Sequence, residues 1–335
     1  MRIALDAMGT DLHPEVEVLG AVEALRELPG DFEVLLVGDQ ELVESRLAQC
    51  VDFPRARLSV VHASQCIAPG EAPAAAVRRK QDSSIVVGLT LQREGKADAF
   101  VSAGSTGAVM AASLFILRAL PGVDRPPIAT LLPTVSEPVL MLDSGANVDS
   151  KPHHLVQFAQ LGAVYATDVL GRAVPRVGLL NIGEEPEKGN ELAVEAYQLL
   201  AESGLEFIGN VEGRDVIRGV CDVLVTDGFV GNVLLKFYES VAGFIYEVAT
   251  GSPPPAPGNA PSKLWQALDY TTYGGAPLLG VNGVSIICHG GSPPLAVRNA
   301  IGMAIQAVQS DMVGHIQQQL GGTLTTGRRR LAEGA

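Results

Sequence analysis

An α/β fold built on a largely parallel but mixed sheet is predicted by three features of the 335-residue sequence. Short apolar runs alternate with helix-length segments along the chain, the pattern of parallel strands joined by crossover helices. The runs end, one after another, in loops rich in Gly, Asn, Asp or His, as expected where strands deliver polar groups to one edge of a sheet. Two runs, at 128–132 and 139–142, are separated only by a few residues including Pro133 and Pro138, and so predict an antiparallel hairpin.

At 47% hydrophobic residues, the chain has ample material for one large domain or two intertwined ones. The net charge of −13 argues against a nucleic-acid partner, because phosphate backbones demand a basic face; Arg328-Arg329-Arg330 reads as a solvated tail. Anionic substrates must therefore be held by local donors. Cys50, Cys66, Cys221 and Cys288 show no C-x-x-C spacing, which argues against disulfides and zinc and fits a reducing cytoplasm. The first strand is broken by Asp6, and no later run reaches the ~18 apolar residues of a membrane span, so neither export nor a bilayer crossing is expected.

Taken in order, Arg2-Ile3-Ala4-Leu5 is a short buried strand, Asp6-Ala7-Met8-Gly9-Thr10-Asp11 follows it, and Pro14 suits the first turn of a helix. Strands at 33–37 and 58–61 flank a helix at 40–49. Residues 68–73 read as an irregular loop, after which Arg78-Arg79-Lys80 leads into a helix from Ile85. That basic run is either a solvated face or a seat for an acidic partner or phosphate. Ala99 to Ser102 closes the next strand, Gly104 and Gly107 permit a tight turn, and Ser105 or Thr106 can cap the helix running to Leu117. Such a turn aims N–H groups at one point with a helix dipole behind them, the arrangement that seats phosphate. By itself Gly-Ser-Thr-Gly is equally an ordinary capped turn, since it matches neither the Walker A loop nor the dinucleotide fingerprint.

The second half repeats this grammar. The strand at 139–142 ends in Asp143-Ser144-Gly145-Ala146-Asn147, ahead of a helix at 155–169. The strand at 177–180 ends in Asn181 and the loop to Lys188-Gly189-Asn190, ahead of a helix from Glu191. The strand at 222–225 ends in Thr226-Asp227-Gly228, with Asn232 opening a helix to about residue 249. The strand at 284–288 ends in His289-Gly290-Gly291-Ser292, and Pro293-Pro294 start the last helix. Parallel strands would bring Ser102, Asn147, Asn181, Lys188, Asp227, Asn232 and His289 into one cleft. Residues 251–258 form a semi-rigid proline-rich protrusion. Beside it, Val233, Leu234, Phe237, Val241, Phe244, Ile245 and Val248 make a helical apolar stripe that packs as core, in a dimer or on a membrane.

The motif set closely resembles the phosphate acyltransferases of bacterial phospholipid synthesis, the PlsX family. The resemblance rests on Asp6 to Asp11, Ser102 to Ala108, Asp143 to Asn147, Glu184 to Asn190, Thr226 to Asn232, Tyr273 to Gly280 and His289-Gly290, and so spans nearly the whole chain. Thr10 and Ser105 stand where glycine and asparagine are expected, and the region before Trp265 is proline-rich. The resemblance implies transfer of a fatty acyl chain from acyl carrier protein to inorganic phosphate, giving acyl phosphate. It implies a three-layer α/β/α sandwich of the isocitrate/isopropylmalate dehydrogenase type, with a mixed sheet in two interwoven halves over residues 1–335, and a homodimer. Residues 230–273 are expected at a dimer or membrane contact, where the product would pass to a downstream glycerol-3-phosphate acyltransferase. The enzyme is then cytoplasmic with peripheral membrane association. His153 and His154 begin a helix without ligand spacing, so no metal is assigned, and no cofactor.

Phosphate is a nucleophile that needs little activation, and a thiolate with a free-thiol pKa of about 8.5 leaves readily, so no strong base is required. The task is to hold an anion beside a thioester and stabilise the oxyanion. His289, Lys188, Asn181 and Asp227 are the candidate catalytic residues, His289 as oxyanion donor or acid and Lys188 as the cation for phosphate. Substrate-binding candidates are Asp6, Gly9 and Asp11 in the first loop, and Ser102, Gly104, Ser105, Thr106 and Gly107 in the second. Asp143, Asn147 and Asn232 follow, with Gly290 and Ser292 beside the histidine. Direct attack without an acyl-enzyme is expected, because no Gly-x-Ser-x-Gly elbow is present and adjacent strand residues turn Cys288 away from His289. A metal-dependent dehydrogenase of the same fold, another acyl transfer of phosphotransacetylase type and a non-catalytic phosphate- or acyl-binding module remain the alternatives.

Overall fold

The computed structural model describes residues 1–253 and 273–320. The proline-rich stretch from Pro254, Leu264-Trp265 and Arg328 to Arg330 lie outside the described residues. In chain order the strands are β1 (Arg2–Asp6), β2 (Glu33–Gly38), β3 (Leu58–His62), β4 (Ala99–Ser102), β5 (Ala129–Leu132) and β6 (Val139–Leu142). They continue with β7 (Val177–Asn181), β8 (Phe207–Glu212), β9 (Val223–Val225), β10 (Ala276–Pro277) and β11 (Val284–Ile287). The described residues divide into two compact units, one of 1–118, 239–253 and 273–308, the other of 119–238 and 309–320.

Each unit has its own mixed sheet. In the first the order is β10-β11-β4-β1-β2-β3, parallel throughout except between β10 and β11. Ile3, Ala4 and Leu5 of β1 and Ala99, Phe100 and Val101 of β4 are at most 1% exposed, so both faces of these strands are covered, as central parallel strands require. In the second the order is β5-β6-β9-β7-β8, with the expected hairpin as the antiparallel pair β5–β6, in register from Ala129 opposite Leu142 to Leu132 opposite Val139. Its core gathers Leu132, Val139, Met141, Val211, Val216 and Leu224, with Leu234, Leu235 and Tyr238 packed against it.

Two elements depart from the sequence reading. The edge strand β8 has no counterpart there, because Gly209 and Asn210 interrupt its apolar pattern; it pairs with β7 alone, through an irregular register. The helix Pro73–Arg79, which follows the loop expected at 68–73, has no counterpart there either; it is favoured by Ala74-Ala75-Ala76 and by proline at its first turn. Its basic end is partly paired within the chain. Glu71 takes the Lys80 ammonium at 2.6 Å and Arg79 at 3.7 Å, and the Arg78 guanidinium lies 5.0 Å from the Phe115 ring centroid.

The helix Gly228–Thr250 is capped by Asp227, whose Oδ1 accepts from Phe229 N–H at 2.9 Å and Val230 N–H at 3.0 Å. Its apolar stripe is only partly core: Leu234 packs inward, while Val233, Phe237, Phe244 and Val248 are 57–69% exposed. Its first turn lies directly on the end of β6, where a Cβ at Gly231 would overlap the Asp143 carbonyl oxygen.

Alanine is the better helix former by about 1 kcal/mol, but overpacking against rigid backbone costs about 1–3 kcal/mol or more. Gly231→Ala is therefore expected to lower stability despite its propensity gain. Gly213→Ala, where a Cβ meets nothing within 4 Å, should be neutral or stabilising by up to about 1 kcal/mol. Urea midpoints of the two variants check the pair, and equal shifts would contradict it.

Candidate functional site

In the first unit three adjacent parallel strands, β1, β4 and β11, deliver their carboxyl-end loops side by side. Asp6 ends β1 and is 1% exposed; its Oδ2 accepts the Ser102 hydroxyl at 2.7 Å and its Oδ1 accepts Met8 N–H at 3.0 Å. Ser102 in turn accepts Gly104 N–H at 3.0 Å. Burial raises the Asp6 carboxyl above its ordinary range, against the pull of its hydrogen bonds to Ser84, Ser102 and Met8. A Cβ at Gly9 would come within 2.6 Å of Gly104 N, so the first two loops meet backbone to backbone and only glycine fits. The third loop joins them through Asp11 N–H, which donates to the Gly290 carbonyl at 2.9 Å.

The helix Thr106–Ile116 starts at this edge. Ser105 occupies its N-cap position but makes no side-chain capping bond, in contrast to the expected cap, so the first-turn N–H groups are not closed off by it. Gly104, Ser105 and Gly107 are half-buried and Thr106 is exposed. His289 is exposed, and its Nδ1 accepts Gly291 N–H at 3.0 Å, which places the proton of the neutral ring on Nε2. Ser292 is buried and braces the same loop, its hydroxyl oxygen accepting His289 N–H at 3.1 Å while its own N–H donates to the His289 carbonyl. Cys288 is 5% exposed, and burial pushes its thiol up to about 12.

Beneath the first loop lies a carboxylate that the motifs do not reveal. Glu17 is fully buried, and its Oε1 accepts Thr10 N–H at 2.7 Å and Gly9 N–H at 3.1 Å. Its other oxygen and the Thr10 hydroxyl have no hydrogen-bond partner of good geometry, although the hydroxyl is near enough to favour the ionised acid. Burial dominates and pushes Glu17 up to about 7, with the nearby Asp6 charge adding to the rise. The available sequence signal is its place one turn before Ala21 on the buried stripe of the helix Glu15–Glu27, where an acid is seldom found unless paired.

In the second unit β6, β9 and β7 are likewise adjacent and parallel. Asp143 follows β6, is fully buried, and accepts the N–H groups of Ile128, Gly145, Ala146 and Asn147 at 2.6–3.2 Å. Burial still raises its pKa. The Asn147 amide donates to Asp143 and to the Pro126 carbonyl, and Asn232 donates to the Ser144 carbonyl at 3.3 Å. Asn181, ending β7, donates to the Lys188 carbonyl at 2.9 Å, while Asn210 donates to the Glu185 carbonyl at 2.8 Å. These two amides brace the loop that presents the exposed Lys188 side chain. Asn181 and Asp227 line one groove of about 620 Å³. The predicted residues thus form two sets: those from Asp6 to Thr106 with Gly107, His289, Gly290 and Ser292 in one unit, and Asp143, Asn147, Asn181, Lys188, Asp227 and Asn232 in the other.

The structure also brings Asp124 to His153 and His154, with one ligand-type atom of each within 4.8 Å of the others, a grouping that the sequence spacing did not show. His153 Nε2 lies 3.3 Å from Asp124, and His154 Nδ1 accepts Lys151 N–H at 3.1 Å. Burial lowers the His154 pKa, so its ring is neutral with the proton on Nε2, and neither nitrogen offers a lone pair to an ion.

Strands that end in polar turns, arranged in this way, define an α/β class that includes the phosphotransacetylases. EutD phosphotransacetylase from Staphylococcus aureus superposes with a TM-score of 0.59 at 19% identity, covering 92% of this chain and 94% of that one. A 4-hydroxythreonine-4-phosphate dehydrogenase from Klebsiella pneumoniae gives 0.54 at 15%, covering 92% and 98%. These likenesses establish the dehydrogenase-type fold. A family model described as "Fatty acid synthesis protein" matches residues 1–315. Phosphate acyltransferases of Heliobacterium modesticaldum and Desulforamulus reducens are 51% and 49% identical, each over 96% of this chain and over 98% and 97% of their own length. The chain belongs to the phosphate acyltransferase (PlsX) family, as its motifs indicate.

The Glu17 acid gains its proton on folding, because its pKa of about 7 exceeds the ordinary 4.5. Its contribution is therefore full below pH 4.5 and is lost as pH rises through about 7, by about 3 kcal/mol. Glu17→Gln keeps an acceptor for Gly9 and Thr10 without the titration. The variant should gain about that much relative to wild type between pH 4.5 and 8 in urea unfolding. A difference independent of pH would contradict the assignment.

Proposed function

We propose that the protein moves a fatty acyl group from acyl carrier protein to inorganic phosphate and releases acyl phosphate for phospholipid synthesis. The observation that carries this reading is the set of three turns at the ends of the adjacent strands β1, β4 and β11, where helix N–H groups without a side-chain cap follow β4 and an exposed imidazole follows its neighbour β11. A phosphate oxygen attacks the thioester carbonyl carbon, charge develops on the carbonyl oxygen, and the C–S bond breaks to release the carrier thiol. His289 donates its Nε2 proton, as a hydrogen bond to the oxyanion or as the proton the thiolate takes. The N–H groups from Ser105 to Gly107 hold phosphate oxygens, and the Lys188 ammonium offers its charge to an anionic oxygen. Asp6, Ser102, Asp143, Asn147 and Ser292 act by shaping turns, since their polar atoms are buried and engaged. Asn181 positions the Lys188 loop, and Asp227 fixes the start of its helix.

Attack is direct. Burial pushes Cys221 and Cys288 up to about 12, which leaves both as inert thiols, and raises Cys66 as well. The exposed residues Phe244, Ile245 and Val248 support a homodimer contact or peripheral attachment to a lipid surface, where a glycerol-3-phosphate acyltransferase would receive the product. Residues 254–272 of that expected contact lie outside the described ones, and no described helix is long and apolar enough to cross a membrane. Sizing as a monomer together with failure to float with liposomes would remove this part of the reading.

Enzyme given acyl-acyl carrier protein and phosphate should yield hydroxylamine-trappable acyl phosphate. His289→Ala should slow it by ~10²–10⁴-fold and Cys288→Ala far less, while Lys188→Ala should chiefly raise the phosphate KM. Intact mass of enzyme with acyl-acyl carrier protein and no phosphate should show no acyl adduct. A stoichiometric adduct that phosphate discharges would refute direct attack.

A further inference from the structure

We propose that the acyl chain of the substrate lies in the second-unit groove between the helix Glu191–Ala201 and the first turns of Gly228–Thr250. The assignment rests on the acyl-transfer reading and adds to it a place for the chain. The groove holds about 620 Å³, within the ~300–1,000 Å³ range of small-molecule pockets. Its walls are aliphatic or aromatic: Leu179 from β7, Leu192 from the first helix, and Val230, Val233, Leu234 and Phe237 from the second. Three of these, Val230, Val233 and Phe237, are 40–64% exposed, which leaves apolar surface that a ligand would cover.

The polar lining tells what the occupant is not. Asp227 is the one charged residue among the described residues of the wall, and its Oδ1 is already engaged by two backbone N–H groups. With no lysine, arginine or histidine among its described lining residues, the groove offers from them no counter-ion for a phosphate, a carboxylate or a nucleotide. An uncharged alkyl chain needs none. A docked helix is a poorer fit, since at about 10 Å across it would fill this volume within roughly a turn and a half. Asn181 and Asp227, at the ends of β7 and β9, belong to its wall, so the groove opens at the carboxyl edge of the second sheet.

Filling the groove should therefore shorten the chain that the enzyme prefers. Each methylene denied burial costs about fourfold in affinity, the equivalent of ~0.8 kcal/mol. Val233→Trp adds bulk at an exposed wall position, and Gly213→Leu adds it where a Cβ meets nothing within 4 Å, so both leave the core untouched. The measurement is kcat/KM for acyl-phosphate formation with acyl-acyl carrier proteins from about eight to about eighteen carbons, with the size of each variant in solution. A fall of about tenfold or more in the long-to-short ratio, in either variant, is expected, corresponding to about two displaced methylenes. Ratios within twofold of wild type in both variants would overturn the assignment. A changed oligomeric size with unchanged ratios would also overturn it, and would give the groove to a second copy of the chain. If wild type forms no acyl phosphate from any chain length, the acyl-transfer reading itself has failed, and the assignment falls with it.

Discussion

Burying a carboxylate at the end of a central strand fixes the turns around it, because each oxygen must find donors or the charge costs several kcal/mol. Asp6 meets that demand with the Ser102 hydroxyl and Met8 N–H, and Ser102 passes the constraint on to Gly104. Two loops far apart in sequence are thereby held at a separation that admits no side chain at Gly9. The third loop, carrying His289, is tied to them by backbone bonds from Asp11 N–H to the Gly290 carbonyl and from Cys288 N–H to the Ser102 carbonyl. Loss of the Asp6 carboxylate would remove the bonds to Ser102 and Met8 directly and would reach the His289 loop only through the loops they hold.

The second unit solves the same problem with other residues. Asp143 stands just past β6 as Asp6 stands at the end of β1, and it takes four backbone N–H groups where Asp6 takes one together with serine hydroxyls. Both acids are raised by burial, which means that their hydrogen bonds offset only part of the desolvation cost. What the protein gains is rigidity at strand ends. Donors that are already aimed need no reorganisation when charge develops on a substrate, which is where preorganised dipoles contribute most.

Much of this fold is legible in the sequence, since β1, β4, the 129–142 hairpin and the glycine-rich turns announce themselves by apolar runs and punctuation. Location was legible more than role. Ser102, Asp143 and Ser292 sit in the right loops, yet their burial is a tertiary fact that no spacing reports. Asp227 reads as a reactive acid in a polar loop, whereas one of its carboxylate oxygens is engaged in capping the helix that follows. Glu17 was hidden because a single acid on an apolar stripe resembles ordinary helix polarity. The 620 Å³ groove is invisible for a different reason: its walls come from β7 and two helices separated by tens of residues.

A protein with a net charge of −13 that handles phosphate must overcome its own field at short range. The Debye length of about 8 Å at physiological salt screens distant carboxylates, while donors at about 3 Å act almost unscreened. Backbone N–H groups at a helix start suit this condition, because they carry no proton that pH can remove and no hydration shell of a full cation to strip. An exposed Lys188 adds charge without the cost of burying it. The acyl chain, indifferent to the field, can occupy a wall that has no cation at all. Anion and alkyl group therefore make separate demands on the chain, and local dipoles meet one while apolar surface meets the other.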